Sequence, residues 1–175
     1  MQRLRAVMAG ILLAAAAVFA PGPAHAAAGP PAATRPADLP QWSWPVPPAL
    51  PLVRDFEAPA HAYGPGHRGI DIGASTGAEV RAVADGEVSF AGPVADRGVL
   101  AIAHASGWKS SYEPVDALVA AGERVTAGQV VARISAAPPH CDQPCLHLGA
   151  RLNDAYFSPL LLLGADGAVL LPWED

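Results

Sequence analysis

Residues 67–71, with the sequence HRGID, combine two side chains that bind metal ions. Successive side chains of a strand point to opposite faces, so His67 and Asp71 would lie on one face with Gly69 between them. The missing side chain at Gly69 would then leave room for an ion. Imidazole nitrogen and carboxylate oxygen are both good zinc ligands. On its own, however, the segment is explained at least as well by a surface histidine and a turn aspartate.

Residues 145–149 (CLHLG) form a second segment of this kind. The same alternation would place Cys145 and His147 on one face and direct the intervening leucines into the core. His147 would complete a set of two histidines and one aspartate with His67 and Asp71. A catalytic zinc typically has three protein ligands and one open position that holds water. For His147 alone, a strand histidine in a polar contact is the alternative, so the metal hypothesis depends on both segments together.

The elements that would position these residues are short strands. From His67 onward, short runs of alternating or β-branched apolar residues are separated by turns that contain glycine. This pattern predicts an all-β fold, a mostly antiparallel sandwich or barrel-like domain. The predicted strands lie at 80–84, 88–91, 98–104, 108–112, 125–131 (a strand, a turn and a strand) and 146–152. Residues 117–121 are long enough for one helical turn.

Residues 1–26 have the layout of a secretory signal peptide. Arg3 and Arg5 give a positive start, residues 6–20 are an unbroken apolar run, and residues 24–26 (AHA) have the small side chains of a cleavage site. The run is shorter than the about 20 residues that span a bilayer. We therefore expect a secreted, extracytoplasmic protein of the cell envelope with no membrane span after signal cleavage; an uncleaved N-terminal anchor is the alternative.

The rest of the chain divides by composition. Residues 27–40 are rich in alanine and proline and have almost no bulky apolar side chain, so we predict a disordered linker. Residues 41–65 contain tryptophans, aliphatic residues and several prolines, which predicts an extended Pro-rich N-terminal arm that packs on the domain. The domain itself would cover residues 66–163, and residues 164–175 would form a C-terminal tail.

The charge balance argues against nucleic-acid binding. The chain has 11 Lys and Arg residues against 16 Asp and Glu residues, a formal net charge of −5. Its only lysine is Lys109. No basic stripe is present on which phosphate contacts could be built.

Cys141 and Cys145 are the only cysteines and lie four residues apart. In an oxidising compartment, such a pair most often forms a local disulfide. Free thiols or metal ligation remain the alternatives at this point.

The order of motifs over residues 66–160 resembles the lysostaphin/LytM-type zinc metallopeptidases. Their pattern H-x-G-x-D, followed by G-x-x-V-x-A-x-x-x-G-x-V, is matched at 67–71 and 77–88, and the match continues through 99–104, 111–112, 122–130, 146–147 and 158–159. The resemblance implies a mostly antiparallel β-fold with a groove over one sheet, a zinc site and activity on peptide cross-bridges or stems of bacterial peptidoglycan. It also implies that His67, Asp71 and His147 are the zinc (Zn2+) ligands.

Two positions depart from the family pattern. Where the family has Y-x-H-L, with a catalytic histidine, residues 112–115 read YEPV and Pro114 takes the histidine position. Where the family closes with H-L-H, whose first histidine also assists catalysis, the first position is Cys145. Pro114 cannot handle a proton, and Cys145 cannot do so if it is bound to Cys141.

Three residues are candidates to replace the missing histidines: His140, Glu113 and Tyr112. His140 is the preferred catalytic candidate because a bridge between Cys141 and Cys145 would hold its loop near the metal ligands. A solvated loop histidine is the alternative for His140.

These observations support a secreted zinc-dependent metalloendopeptidase-like protein that acts on peptidoglycan. The main alternative is a catalytically inactive protein of the same fold that binds cell wall or activates another hydrolase. A biotinyl or lipoyl carrier is disfavoured because Lys109 lies in a predicted strand rather than at a hairpin tip. A serine hydrolase is disfavoured because no G-x-S-x-G motif is present.

Overall fold

The computed structural model describes residues 39–47, 51–61, 64–136 and 141–163. The signal peptide, most of the linker, His140 and the C-terminal tail of the sequence-based predictions lie outside these residues. Within them, no helix is long and apolar enough to cross a membrane. The strands are β1 (Leu52–Arg54), β2 (Gly69–Gly73), β3 (Glu79–Arg81), β4 (Gly86–Val94), β5 (Arg97–Ala103), β6 (Trp108–Glu113), β7 (Val115–Ala117), β8 (Arg124–Val125), β9 (Val130–Ile134), β10 (Cys145–Leu152) and β11 (Ala155–Phe157).

The described strands form a large and a small sheet. The large sheet has the order β1-β2-β10-β6-β5-β4-β8, with β11 also paired to β10, and the small sheet has the order β3-β9-β7. The pairs between these strands are antiparallel. Buried side chains from both sheets belong to one hydrophobic cluster. The predicted all-β, mostly antiparallel fold class is confirmed.

Strand β6 shows how the sequence pattern assigns the two faces of the large sheet. Alternate residues of β6 point into the core, namely Trp108, Ser110 and Tyr112. The residues between them, such as Lys109, are more exposed. Strands β2 and β10 differ, because nearly all their residues are buried on both faces. Their second face is therefore covered by something other than the core, namely the polar cluster described below.

Two features of the fold differ from the sequence-based predictions. Residues 117–121 do not form a helical turn: β7 reaches Ala117, and the Leu118 amide donates to the Val131 carbonyl. Strand β11 was not predicted, although Asn153 and Asp154 both adopt positive φ angles of 47° and 70° before it. Asparagine and aspartate tolerate this conformation and favour tight hairpins, so the Asn-Asp pair was a usable turn signal.

The segment before the domain contributes side chains to the core. Trp42 and Val46 are 1% and 2% exposed. The Trp42 ring contacts those of His104 and Trp108, with centroids 5.3 and 6.1 Å apart. Further along, β1 pairs with β2 and extends the large sheet beside the residues that carry the metal-binding pattern.

Candidate metal centre

His67, Asp71 and His147 meet in one buried cluster. The cluster lies on the face of the large sheet that points away from the core, which we call the metal face. His67 Nε2 lies 3.0 Å from Asp71 Oδ1 and 3.1 Å from His147 Nδ1, and His147 Nδ1 lies 2.7 Å from Asp71 Oδ1. Their exposed fractions are 3%, 2% and 8%. The structure thus brings together all three residues of the predicted ligand set.

Strand register explains this convergence. Asp71 on β2 and His147 on β10 are direct cross-strand partners, so their side chains point to the same face at the same level. Ile70 and Ile72 flank Asp71 and are fully buried in the core, as the alternation predicted. His67 lies just before β2 and is held by a backbone bridge to Glu57.

The tautomer of His67 is set by a backbone contact that the sequence did not reveal. His67 Nδ1 lies 2.6 Å from the carbonyl oxygen of Asp55. A carbonyl only accepts hydrogen bonds, so Nδ1 must carry the proton, and in the neutral ring Nε2 presents its lone pair to the cluster. Such an outer contact orients a histidine ligand and raises its basicity. Because every residue has a backbone carbonyl, the sequence gives no indication that the one at Asp55 contacts His67.

The role predicted for Gly69 is wrong in one respect. A Cβ atom at this position would lie 2.6 Å from His147 Nε2 and still closer to the Leu148 carbonyl oxygen. The space above Gly69 is therefore filled by the imidazole of His147 rather than left open for an ion. Gly69 is needed because the ligand ring itself packs against the backbone of β2.

The three ligand atoms fit a zinc ion. Zinc bonds to nitrogen and oxygen are about 2.0–2.1 Å, so tetrahedral neighbours lie about 3.3 Å apart. The observed separations of 2.7 to 3.1 Å need an expansion of about 0.2 to 0.6 Å to reach this value. Two neutral imidazoles and one carboxylate are also a donor set that zinc prefers.

Next to this cluster, the two positions that depart from the family pattern carry no free titratable side chain. Cys145 is joined to Cys141 by a disulfide, so the predicted bridge is present and its sulfur is neither a free thiol nor a metal ligand. Pro114 and Cys145 both line a small pocket of about 180 Å³. His140 precedes this loop but lies outside the described residues.

The other two replacement candidates lie on opposite faces of β6. Glu113 is the direct cross-strand partner of His147, so alternation puts its side chain on the metal face. Tyr112 is fully buried in the core, and the suggestion that it reaches the site is wrong. Burial raises the pKa of Tyr112 to about 12, and its hydroxyl lies 3.1 Å from the Val83 nitrogen and 3.0 Å from Ser110 Oγ.

Comparison with known proteins finds a family match and curated relatives. Residues 65–159 match the model of peptidase family M23. An uncharacterized protein of Mycobacterium tuberculosis is 39% identical over 141 residues, which is 78% of this chain; this chain spans only 57% of that relative's length.

Solved structures give the same fold. A zinc-containing peptidase from Vibrio cholerae is similar with a TM-score of 0.56 and 26% identity, over 65% of this chain and 37% of that one. The catalytic domain of lysostaphin from Staphylococcus simulans has a TM-score of 0.55 and 20% identity, over 63% of this chain and 90% of that one.

Proposed function

This chain belongs to peptidase family M23, and from that membership we propose that it is a zinc-dependent endopeptidase that acts on peptide bonds of cell-wall peptidoglycan outside the cytoplasm. The observation that carries the proposal is the buried convergence of His67 Nε2, Asp71 Oδ1 and His147 Nδ1. When bound, a zinc ion supplies Lewis acidity that polarises a peptide carbonyl and lowers the pKa of water to about 7.

In this proposal the protein's own residues hold the zinc ion, fix the orientation of its ligands and move a proton. His67 is oriented by the Asp55 carbonyl, and Asp71 is fixed between the two imidazoles. A proton must also move between the attacking water and the leaving amine. Glu113 lies on the metal face beside His147 and is a candidate for this task, together with His140 of the adjoining loop.

The test is digestion of purified peptidoglycan, with the products identified by mass spectrometry. We expect cleavage that chelation abolishes and added zinc restores. Glu113→Gln and His140→Ala separate the two proton carriers, because loss of the true one costs about 10²- to 10⁴-fold in kcat while zinc content stays the same. Glu123→Gln, on an exposed turn, is the matched control for Glu113→Gln. No cleavage under any zinc condition would refute the proposal.

A second candidate function follows from Pro114 and Cys145. Both replace residues that assist catalysis in the family, which favours a protein that binds wall peptides, or activates another hydrolase, without cleaving them. Retained zinc and retained binding to peptidoglycan, without any released peptide, would identify this function.

A further inference from the structure

The metal face of the large sheet continues beyond the zinc ligands into a groove with a distinct chemistry. Strand register arranges this face in rows. The first row contains Asp71, His147 and Glu113, which are cross-strand partners of one another. Two residues further along each strand, the second row consists of small residues, namely Gly69, Gly149, Ser111 and Ala101. Gly69 is covered by the His147 imidazole, and the small side chains of the rest of the row make it the low floor of a groove beside the ligands.

The third row forms the far wall, and it carries positive charge. Tyr156, Arg151 and Lys109 are cross-strand neighbours in this row. Together with Ser111, Ala101 and Phe90 they line a cavity of about 310 Å³. A second hollow of about 280 Å³ lies on the other side of Lys109 and Arg151. Both cations therefore border open space on the metal face.

The placement of these cations opposes the stability of the fold. Lys109 and Arg151 are directly opposite each other, and like charges in that relation are destabilising. The other cross-strand partner of Lys109 is Ala103, and Lys109 makes no ion pair with any residue that the structure describes. Arg151 has one acidic contact, Asp154, at 3.7 Å, and Asp154 is 91% exposed. A bound anion would relieve the repulsion that the protein itself leaves nearly uncompensated.

We propose that Lys109 and Arg151 bind a free carboxylate of the peptide substrate, a few residues from the bond that is cleaved. This inference rests on the proposed function, since it concerns the same groove. Arg151 lies four residues from His147 along β10, about 13 Å, which is the length of four extended peptide residues. The carboxylate therefore belongs to a residue within about four positions of the scissile bond. Arginine offers a two-pronged donor for it, and lysine a point charge.

The experiment measures binding separately from cleavage. The probe is a fluorescein-labelled wall stem tetrapeptide with free carboxylates, compared with the same peptide in which the carboxylates are carboxamides. Fluorescence anisotropy with the zinc-loaded full-length protein gives the affinity ratio of the two forms. We expect about tenfold preference for the carboxylate form, because a charge-assisted hydrogen bond in a partly exposed groove is of this order.

The variants are chosen to remove charge and keep shape. Lys109→Gln and Arg151→Gln should each lower the preference about three- to fivefold, whereas Lys109→Arg should retain it. Arg133→Gln, on the small sheet, is the matched control and should leave the ratio unchanged. If Lys109→Gln and Arg151→Gln, both folded by circular dichroism, show the same ratio as the wild type, the subsite is refuted. The same holds if the wild type does not distinguish the two peptides.

The two proposals fail in different ways. Selective binding of the carboxylate peptide without any cleavage would support the subsite and contradict the endopeptidase. Cleavage of both forms with equal kcat/KM and equal affinity would contradict the subsite and leave the endopeptidase standing.

Discussion

Two histidine clusters lie on opposite faces of the large sheet, and they use the same side chain for different purposes. On the metal face, the ligand atoms of His67, Asp71 and His147, here called the outer cluster, lie 2.7 to 3.1 Å from one another. On the core face, His104 Nε2 lies 2.8 Å from Ser110 Oγ, which lies 3.0 Å from the Tyr112 hydroxyl. Ser110 and Tyr112 are fully buried and His104 is partly buried, and both clusters are hydrogen-bonded, so a hydrogen-bonded histidine in the sheet is not by that fact a metal ligand.

The difference lies in the count of donors and acceptors. His104 Nδ1 lies 2.8 Å from the Asp85 carbonyl oxygen and must donate to it, so Nε2 of the neutral ring accepts from the Ser110 hydroxyl. Tyr112 then donates to Ser110 and accepts from the Val83 amide. Every polar atom of this chain of contacts has a partner.

The three converging atoms of the outer cluster have a different balance of donors and acceptors. His67 Nε2 presents a lone pair because its Nδ1 proton is used by Asp55. Asp71 Oδ1 is a second acceptor. His67 Nε2 and Asp71 Oδ1 both lie within hydrogen-bond distance of His147 Nδ1, which can donate only one proton. A cation satisfies the surplus of lone pairs, whereas the His104 network has no such surplus.

The largest expected effect is loss of metal from the outer cluster alone. Asp71→Ala leaves two protein ligands, and we expect zinc affinity to fall more than about 100-fold, with activity lost as well, because even outer contacts of zinc ligands are worth 10- to 100-fold. Tyr112→Phe, in the other cluster, should keep one equivalent of zinc. Metal content by mass spectrometry and competition with a chelating dye measure both. Equal zinc affinity in the wild type and Asp71→Ala would remove the distinction between the clusters.

The next effect tests the packing beneath the outer cluster. Gly69→Ala would push a methyl group against the His147 ring and the Leu148 carbonyl, so either the ring or the strand must shift. We expect zinc affinity to fall more than tenfold and the free energy of unfolding to drop by about 1–3 kcal/mol. Gly92→Ala is the control, because its Cβ would meet nothing closer than 3.6 Å. If Gly69→Ala binds zinc as Gly92→Ala does, the ring does not depend on this glycine.

A smaller effect is expected when the core network is interrupted. Ser110→Ala removes the link between His104 Nε2 and the Tyr112 hydroxyl, so His104 Nε2 loses its donor and the buried Tyr112 hydroxyl keeps only its contact with the Val83 amide. The free energy of unfolding should fall by about 1–3 kcal/mol, measured by urea denaturation, while zinc content stays unchanged. Ser111→Ala, one residue away on the metal face, should be nearly neutral. A loss of zinc in Ser110→Ala would show that the two clusters are coupled.

The sequence identified the fold class and the outer cluster because both depend on alternation and strand register, which residue types reveal. Asp71 and His147 could be placed on one face from the positions of their apolar neighbours. The sequence did not reveal the Asp55 carbonyl or the packing of His147 on Gly69, because backbone contacts between distant segments have no residue signature. It also left open whether Tyr112 faces the site, since one residue of register decides between the core and the metal face.

The smallest effect concerns pH and the core cluster. Burial lowers the pKa of His104 below its ordinary value, with the hydrogen bond to the Asp85 carbonyl and the Asp85 charge acting in the opposite direction. Between the folded pKa and the unfolded value of about 6.5, the unfolded chain binds more protons, so stability rises with pH there. This contribution is fully present above about pH 6.5 and is lost as the pH falls through the folded pKa.

Urea denaturation of the wild type and His104→Gln from pH 4.5 to 7.5 isolates the contribution of His104 to the pH dependence of the free energy of unfolding. The contribution of the zinc ligands is common to both proteins and cancels in the difference between them. We expect the stability advantage of the wild type over His104→Gln to grow with pH across this range and then level off. A constant difference would mean that His104 titrates as an exposed histidine does.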